Sequence, residues 1–166
     1  KNWEFNGFLQ SFDKQPLELL RRSRLITLSI NTLFLLLSFF LLRKYLGARS
    51  ALIATLFISL DPYFMGHSRL LNHEALMCLL LLVSILAMMV YLHSSRKNIF
   101  LVISGTSAGL ALLTKSSATI VIPFVGLMIL DKLIKPWREQ RKIPRELPNY
   151  IKVFLIWLII LILVYF

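Results

Sequence analysis

The stretch ALMCLLLLVSILAMMVYLH, residues 75–93, contains no Asp, Glu, Lys or Arg and is long enough to enter a bilayer as one helix. A hydrocarbon core about 30 Å thick takes about 20 apolar residues of helix. Every backbone N–H and C=O inside that core must be satisfied internally, which a helix does. The whole chain agrees, since 57% of its residues are hydrophobic and its mean hydropathy is +0.73. We therefore predict an all-α, polytopic transmembrane helical bundle.

Other apolar runs predict about five complete spans and a shortened sixth. Residues 1–24 are expected to form an extracytoplasmic, interfacial segment, and residues 25–166 the transmembrane domain. Because the sequence starts without Met and stops inside an apolar run, we expect a fragment of a longer membrane protein. The predicted spans are Leu25–Leu42, Ala48–Leu60, Ala75–His93, Ile99–Leu113 and Ala118–Leu130, followed by Val153–Phe166, which is too short to cross alone.

The charge pattern points to a membrane rather than to nucleic acid as the partner. The formal net charge is +11, but the cations cluster at the ends of apolar runs, which is typical of the positive-inside rule. Residues 43–49, 96–97 and the basic loop 131–152 fall on one side, which we predict to be cytoplasmic. We expect an integral, multi-pass protein of a prokaryotic plasma membrane.

A set of polar residues then lies on the extracytoplasmic side, where two interpretations stay open. Charges at membrane depth are costly and are usually paired or functional. However, Glu74 in the first turn of a helix is favoured by the helix dipole, and Lys115 at a helix end can extend to the interface. No H-x-x-x-H or H-E-x-x-H spacing occurs, so a metal site is not favoured. The candidate residues are Arg21, Arg22, Arg24, His67, Arg69, Asn72, His73, Glu74 and Lys115.

Three segments resemble the membrane-embedded GT-C glycosyltransferases. They are Leu60-Asp61-Pro62, then Ser68-Arg69-x-x-x-x-Glu74-Ala75-Leu76, then Gly105-x-x-x-Gly109-Leu110-Ala111-Leu112-Leu113-Thr114-Lys115. Their order and spacing are most similar to the branch of protein O-mannosyltransferases and aminoarabinose transferases. Small residues such as Gly105 and Gly109 also favour close helix packing in lipid.

The resemblance implies transfer of a sugar from a polyprenyl-phosphate donor to a protein, lipid or glycan acceptor on the extracytoplasmic side. It implies that Glu74 is a secondary acid, where the family usually has Asp, and that the principal catalytic Asp lies upstream of Lys1. Phosphate contacts would come from Arg69, Lys115 and the arginines 21, 22 and 24. The residues themselves, apart from the resemblance, add His67, Asn72 and His73 as candidates for the same polar site. No cofactor is indicated, although a divalent cation stays open, and a fragment without the principal Asp is expected to be inactive.

Two readings from other classes remain at this stage. A transporter or membrane assembly subunit would also be polytopic, but transporters tend to have internal repeats and helices broken at the midplane. We find no clear repeat, and the polar residues gather at one face. A purely structural helical bundle also fits the segment taken in isolation.

Overall fold

The fold is a bundle of helices in the computed structural model, which describes residues 16–69, 73–93, 97–140 and 147–166. Within these ranges there is no strand, which confirms the all-α prediction. A 3-10 helix, Ser116–Ile120, joins two of the α-helices. The α-helices are α1 (Pro16–Leu46), α2 (Ala48–Leu60), α3 (Pro62–Arg69), α4 (Glu74–His93), α5 (Asn98–Thr114), α6 (Val121–Gln140) and α7 (Leu147–Tyr165).

Four segments of the described chain are long and apolar enough to cross a membrane, namely Leu20–Leu46, Glu74–His93, Ser116–Ile134 and Leu147–Tyr165. The helices α2 and α5 are apolar but shorter. The prediction that the last helix is too short to cross is wrong. The helix α7 begins at Leu147, whereas the predicted run began at Val153, and the added residues make it long enough. Pro148 lies in the first turn of α7, where proline is tolerated.

Other predicted boundaries also fall inside helices. The boundary between residues 24 and 25 lies within α1, which is continuous from Pro16. The segment 61–74, which lies between two predicted spans, contains α3. The predicted basic loop 131–152 is helical up to Gln140 and again from Leu147. Pro62 and Pro148 lie in the first turns of α3 and α7, and Pro136 lies inside α6, so a proline near a predicted loop does not end a helix here.

The helix α4 lies at the centre of the bundle, between α1 and α5, while α7 packs on α5 and α2 packs on α1. The helices α1 and α4 run parallel. Near their C-terminal ends the rings of Tyr45 and His93 are 5.5 Å apart, and further back Phe34 of α1 packs beside Leu76 and Leu80 of α4. Since α5 runs back from Asn98, its C-terminal end returns to the level where α4 begins.

The contact between α5 and α7 depends on two glycines of α5. A Cβ atom at Gly105 would lie 2.8 Å from Ile160 Cγ2, and one at Gly109 would lie 2.8 Å from the backbone oxygen of Leu161. No side chain fits at those distances without movement of α7. This confirms that small residues at these positions allow close helix packing.

A buried hydrogen-bond network joins α4, α5 and α7. The Ser104 hydroxyl donates to the backbone oxygen of Ser84 at 2.8 Å and accepts from the Trp157 indole N–H at 2.9 Å. The Ser84 hydroxyl lies 3.3 Å from Ser104 Oγ. Because the single Ser104 proton is already used, Ser84 is the donor in this last bond. All three side chains are buried, so the network fixes the register of the three helices.

Replacing Ser104 with alanine is expected to destabilise the protein by about 1–3 kcal/mol, because the buried Trp157 N–H loses its acceptor. Thermal unfolding in detergent micelles would measure the loss. Thr106→Ala is the matched control, since the Thr106 hydroxyl bonds only to carbonyls of its own helix. Equal unfolding temperatures for the two variants would contradict a role for the network.

Candidate functional site

The short helix α3 places Tyr63 and His67 on one face. The helix begins here because the Phe64 N–H donates to Asp61 Oδ2 at 2.8 Å, and because Pro62 occupies the first helical position, where its missing N–H is not needed. Residues four apart lie on the same side of a helix. The two rings accordingly lie in contact, with centroids 4.0 Å apart and planes tilted by 31°.

Glu74, the first residue of α4, contacts side chains from two other segments of the chain. Its Oε1 atom accepts a hydrogen bond from Lys115 Nζ at 2.9 Å. Its Oε2 atom accepts from the Tyr63 hydroxyl at 3.2 Å and lies 3.1 Å from His67 Nε2. We call these four residues the Glu74 cluster. Both carboxylate oxygens are engaged, so the cluster ties α3 and the end of α5 to the start of α4.

Both ring nitrogens of His67 face oxygen atoms. His67 Nδ1 is 3.0 Å from the backbone oxygen of Tyr63, and Nε2 is 3.1 Å from Glu74 Oε2. The imidazole is thereby held between the backbone of α3 and the Glu74 carboxylate.

Lys115 follows the last residue of α5, at the point where the helix stops. Its backbone is extended, with φ −160° and ψ 134°, and its side chain reaches Glu74. The hydrogen bond to the Glu74 carboxylate, and then its charge, raise the pKa of Lys115 above its ordinary value. The charge of Glu74 also raises the pKa of Tyr63. The Lys115 side chain is 50% exposed, so part of it is accessible to a further partner.

An apolar cavity of about 360 Å³ borders the Glu74 cluster. It lies between α1, α4 and α5, and it includes the residues directly before Glu74 and directly before Lys115. Most of its lining is aliphatic or aromatic, which suits a hydrocarbon chain. The lining residues are Phe34, His73, Leu76, Leu80, Leu110, Leu113 and Thr114.

The structure brings together some of the residues that the sequence predicted for the site. His67, Glu74 and Lys115 are in direct contact, and His73 lines the neighbouring cavity. Arg69 is the last residue of α3. The Arg69 side chain, and Asn72 as a whole, fall outside the described part of the chain.

The predicted arginine group, residues 21, 22 and 24, lies apart from the Glu74 cluster. All three side chains are exposed in the first turns of α1, and Arg22 pairs with Glu18 at 2.7 Å. Arg24 precedes the cavity residue Phe34 by ten positions, which is about 15 Å of helix. The arginines therefore stand beyond the cavity along the α1 axis.

Tyr63 is the member of the cluster that the sequence analysis missed. The sequence did contain a signal for it, because Tyr63 and His67 have helical spacing directly after an Asp-Pro pair, which is a helix start.

The described residues offer no candidate metal site. They contain no group of three or more His, Cys, Asp or Glu side chains able to hold an ion.

A comparison with protein families gives a match over most of the chain. The model described as dolichyl-phosphate-mannose-protein mannosyltransferase matches residues 20–166. The matched range includes every residue of the Glu74 cluster and of the cavity beside it. No curated protein and no solved structure matches the chain.

Proposed function

The chain belongs to the dolichyl-phosphate-mannose-protein mannosyltransferase family, a group of membrane glycosyltransferases, and from this premise we propose that it uses a polyprenyl-phosphate-linked sugar as donor. The acceptor, a protein, lipid or glycan, would be glycosylated on the extracytoplasmic side. The observation that carries the proposal is the half-exposed Lys115 side chain beside an apolar cavity. A polyprenyl phosphate offers the matching pair of groups, an anion and a hydrocarbon chain.

The two ends of the bundle support the proposed orientation. Lys44, whose ammonium lies 4.2 Å from the centroid of the Phe100 ring, is at the end where α1 and α4 finish. Lys97, just before α5, is at the same end. The Glu74 cluster is at the opposite end, where Arg21, Arg22 and Arg24 also lie. Cytoplasmic placement of the end with Lys44 and Lys97 would put the cluster outside.

In this proposal Lys115 stabilises the negative charge that develops on the departing phosphate. Glu74 acts as a positioning residue, because its two oxygens are occupied by Lys115, Tyr63 and His67. A carboxylate with this many donors is better suited to hold a lysine in place than to take a proton from an acceptor. The arginines 21, 22 and 24 and Arg69 are proposed as further contacts for lipid phosphates.

Glu74→Gln in the complete protein is expected to lower transfer from polyprenyl-phosphate mannose by about tenfold, since the charged hydrogen bond to Lys115 becomes a weaker neutral one. In a Lys115→Met background the same substitution should cause little further loss. This non-additivity separates a positioning role from an independent catalytic one.

Asp131→Asn is the control, an acid-to-amide change at an exposed position of α6, and it should leave transfer unchanged. A complete wild-type protein that neither transfers nor hydrolyses any polyprenyl-phosphate sugar would refute the proposed function.

A further inference from the structure

Asn31 of α1 is a buried amide without a hydrogen-bond partner among the described residues. It is 3% exposed, and neither its Nδ2 nor its Oδ1 atom is bonded. The neighbouring hydroxyl groups of α1 are satisfied by the helix itself. Each donates to the carbonyl four residues earlier, as in Thr27, Ser29, Thr32 and Ser38.

An unpartnered amide is costly for a transmembrane helix. A buried donor or acceptor without a partner keeps the full penalty of its desolvation, and buried polar groups are nearly always bonded. A leucine would fill the same place without that penalty. The amide is therefore a candidate for a group that gains its partners when a ligand binds.

The position of Asn31 points to the Glu74 end of the α1–α4 contact. Phe34, one turn further along α1, lines the cavity together with His73 and Leu76. Since α1 and α4 run parallel, a step of one turn back from Phe34 leads towards the end where Glu74 lies. Asn31 does not itself line the cavity; it lies one helical turn from the lining residue Phe34, on the side of Glu74.

The two free atoms define the chemistry of the ligand. Nδ2 needs an acceptor and Oδ1 needs a donor. A phosphate diester has only acceptors and would leave Oδ1 unpaired, whereas an alcohol hydroxyl both accepts and donates. Resting on the proposed function, we propose that the Asn31 amide binds a hydroxyl group of the sugar on the polyprenyl-phosphate donor, while Lys115 binds its phosphate.

Asn31→Leu in the complete protein tests this division of roles. The substitution is expected to raise the unfolding temperature of the ligand-free protein, because it removes an unpaired amide. The Kd of polyprenyl-phosphate mannose is expected to rise about fivefold to tenfold, with no change for sugar-free polyprenyl phosphate. Ser38→Ala is the matched control. Ser38 is buried on the same helix but bonded within it, and its loss should leave both affinities unchanged.

Other results would overturn the assignment. An equal loss of affinity for both ligands would mean that Asn31 does not recognise the sugar. Unchanged affinity for both would leave the amide with water or another part of the chain as its partner. A lower unfolding temperature would indicate a structural partner, and Asn31→Ala would repeat the measurement if the leucine variant does not fold. Failure of the wild-type protein to bind polyprenyl phosphate would count against the proposed function instead.

Discussion

Lys115→Ala is expected to weaken binding of polyprenyl phosphate to the complete protein by about 10- to 100-fold, the range for loss of a hydrogen bond to a charged group. The reason is the placement of Lys115, which ends α5 beside the apolar cavity and is held by Glu74 at 2.9 Å. Half of its side chain is exposed, so part of it is accessible to a ligand. Lys115→Arg keeps the charge and should retain part of the affinity.

The control for this experiment is at the other end of the same helix. Lys97 immediately precedes α5 and is exposed, and Lys97→Ala removes the same charge far from the cavity. An equal loss in the two variants would reduce the role of Lys115 to general attraction between a basic protein and an anionic lipid. An unchanged Kd in Lys115→Ala would refute the phosphate contact itself.

The transmembrane character of the chain was predictable because it depends on local composition. An uncharged run such as residues 75–93 has few alternatives to a membrane helix, and α4 begins only one residue earlier than predicted. Helix ends near prolines were harder to predict. Pro62 and Pro148 lie in first turns, where proline starts a helix as readily as it stops one. Hydropathy alone does not distinguish these cases.

The sequence predicted most residues of the candidate site but not the contacts between them. Glu74 and Lys115 stood out because charges at the ends of apolar runs need a partner. Their contact joins residues 41 positions apart, and no spacing rule predicts such a pair. It follows from α4 and α5 being adjacent and antiparallel. The unpaired state of Asn31 was equally invisible, because an asparagine within an apolar run usually finds a partner on a neighbouring helix.

The position of the candidate site depends on the contact between α5 and α7. Lys115 is placed by the end of α5, and α5 is held on one side by α4 and on the other by α7. The two glycines of α5 permit the contact with α7, and the hydrogen bond from Trp157 to Ser104 stabilises it. Widening the α5–α7 contact should therefore affect both the stability of the bundle and the position of Lys115.

Gly109→Ala is expected to destabilise the bundle by about 1–3 kcal/mol, the usual cost of an added methyl group in a tightly packed interface. The new Cβ would lie 2.8 Å from the Leu161 backbone oxygen and 2.8 Å from Val164 Cβ. A backbone atom cannot rotate away, so α7 itself must shift. Thermal unfolding in detergent micelles measures the loss of stability, and the Kd of polyprenyl phosphate should rise in the same variant.

Gly126→Ala isolates the steric effect, because it makes the same substitution inside α6, where a Cβ atom meets nothing within 4 Å. Alanine favours a helix over glycine by about 1 kcal/mol, so this control should be neutral or stabilising. Since both variants gain the same helix propensity, the difference between their unfolding temperatures reports the clash with α7 alone. Matching temperatures would mean that α5 and α7 do not pack closely in the membrane protein, and the placement of Lys115 would then need another support.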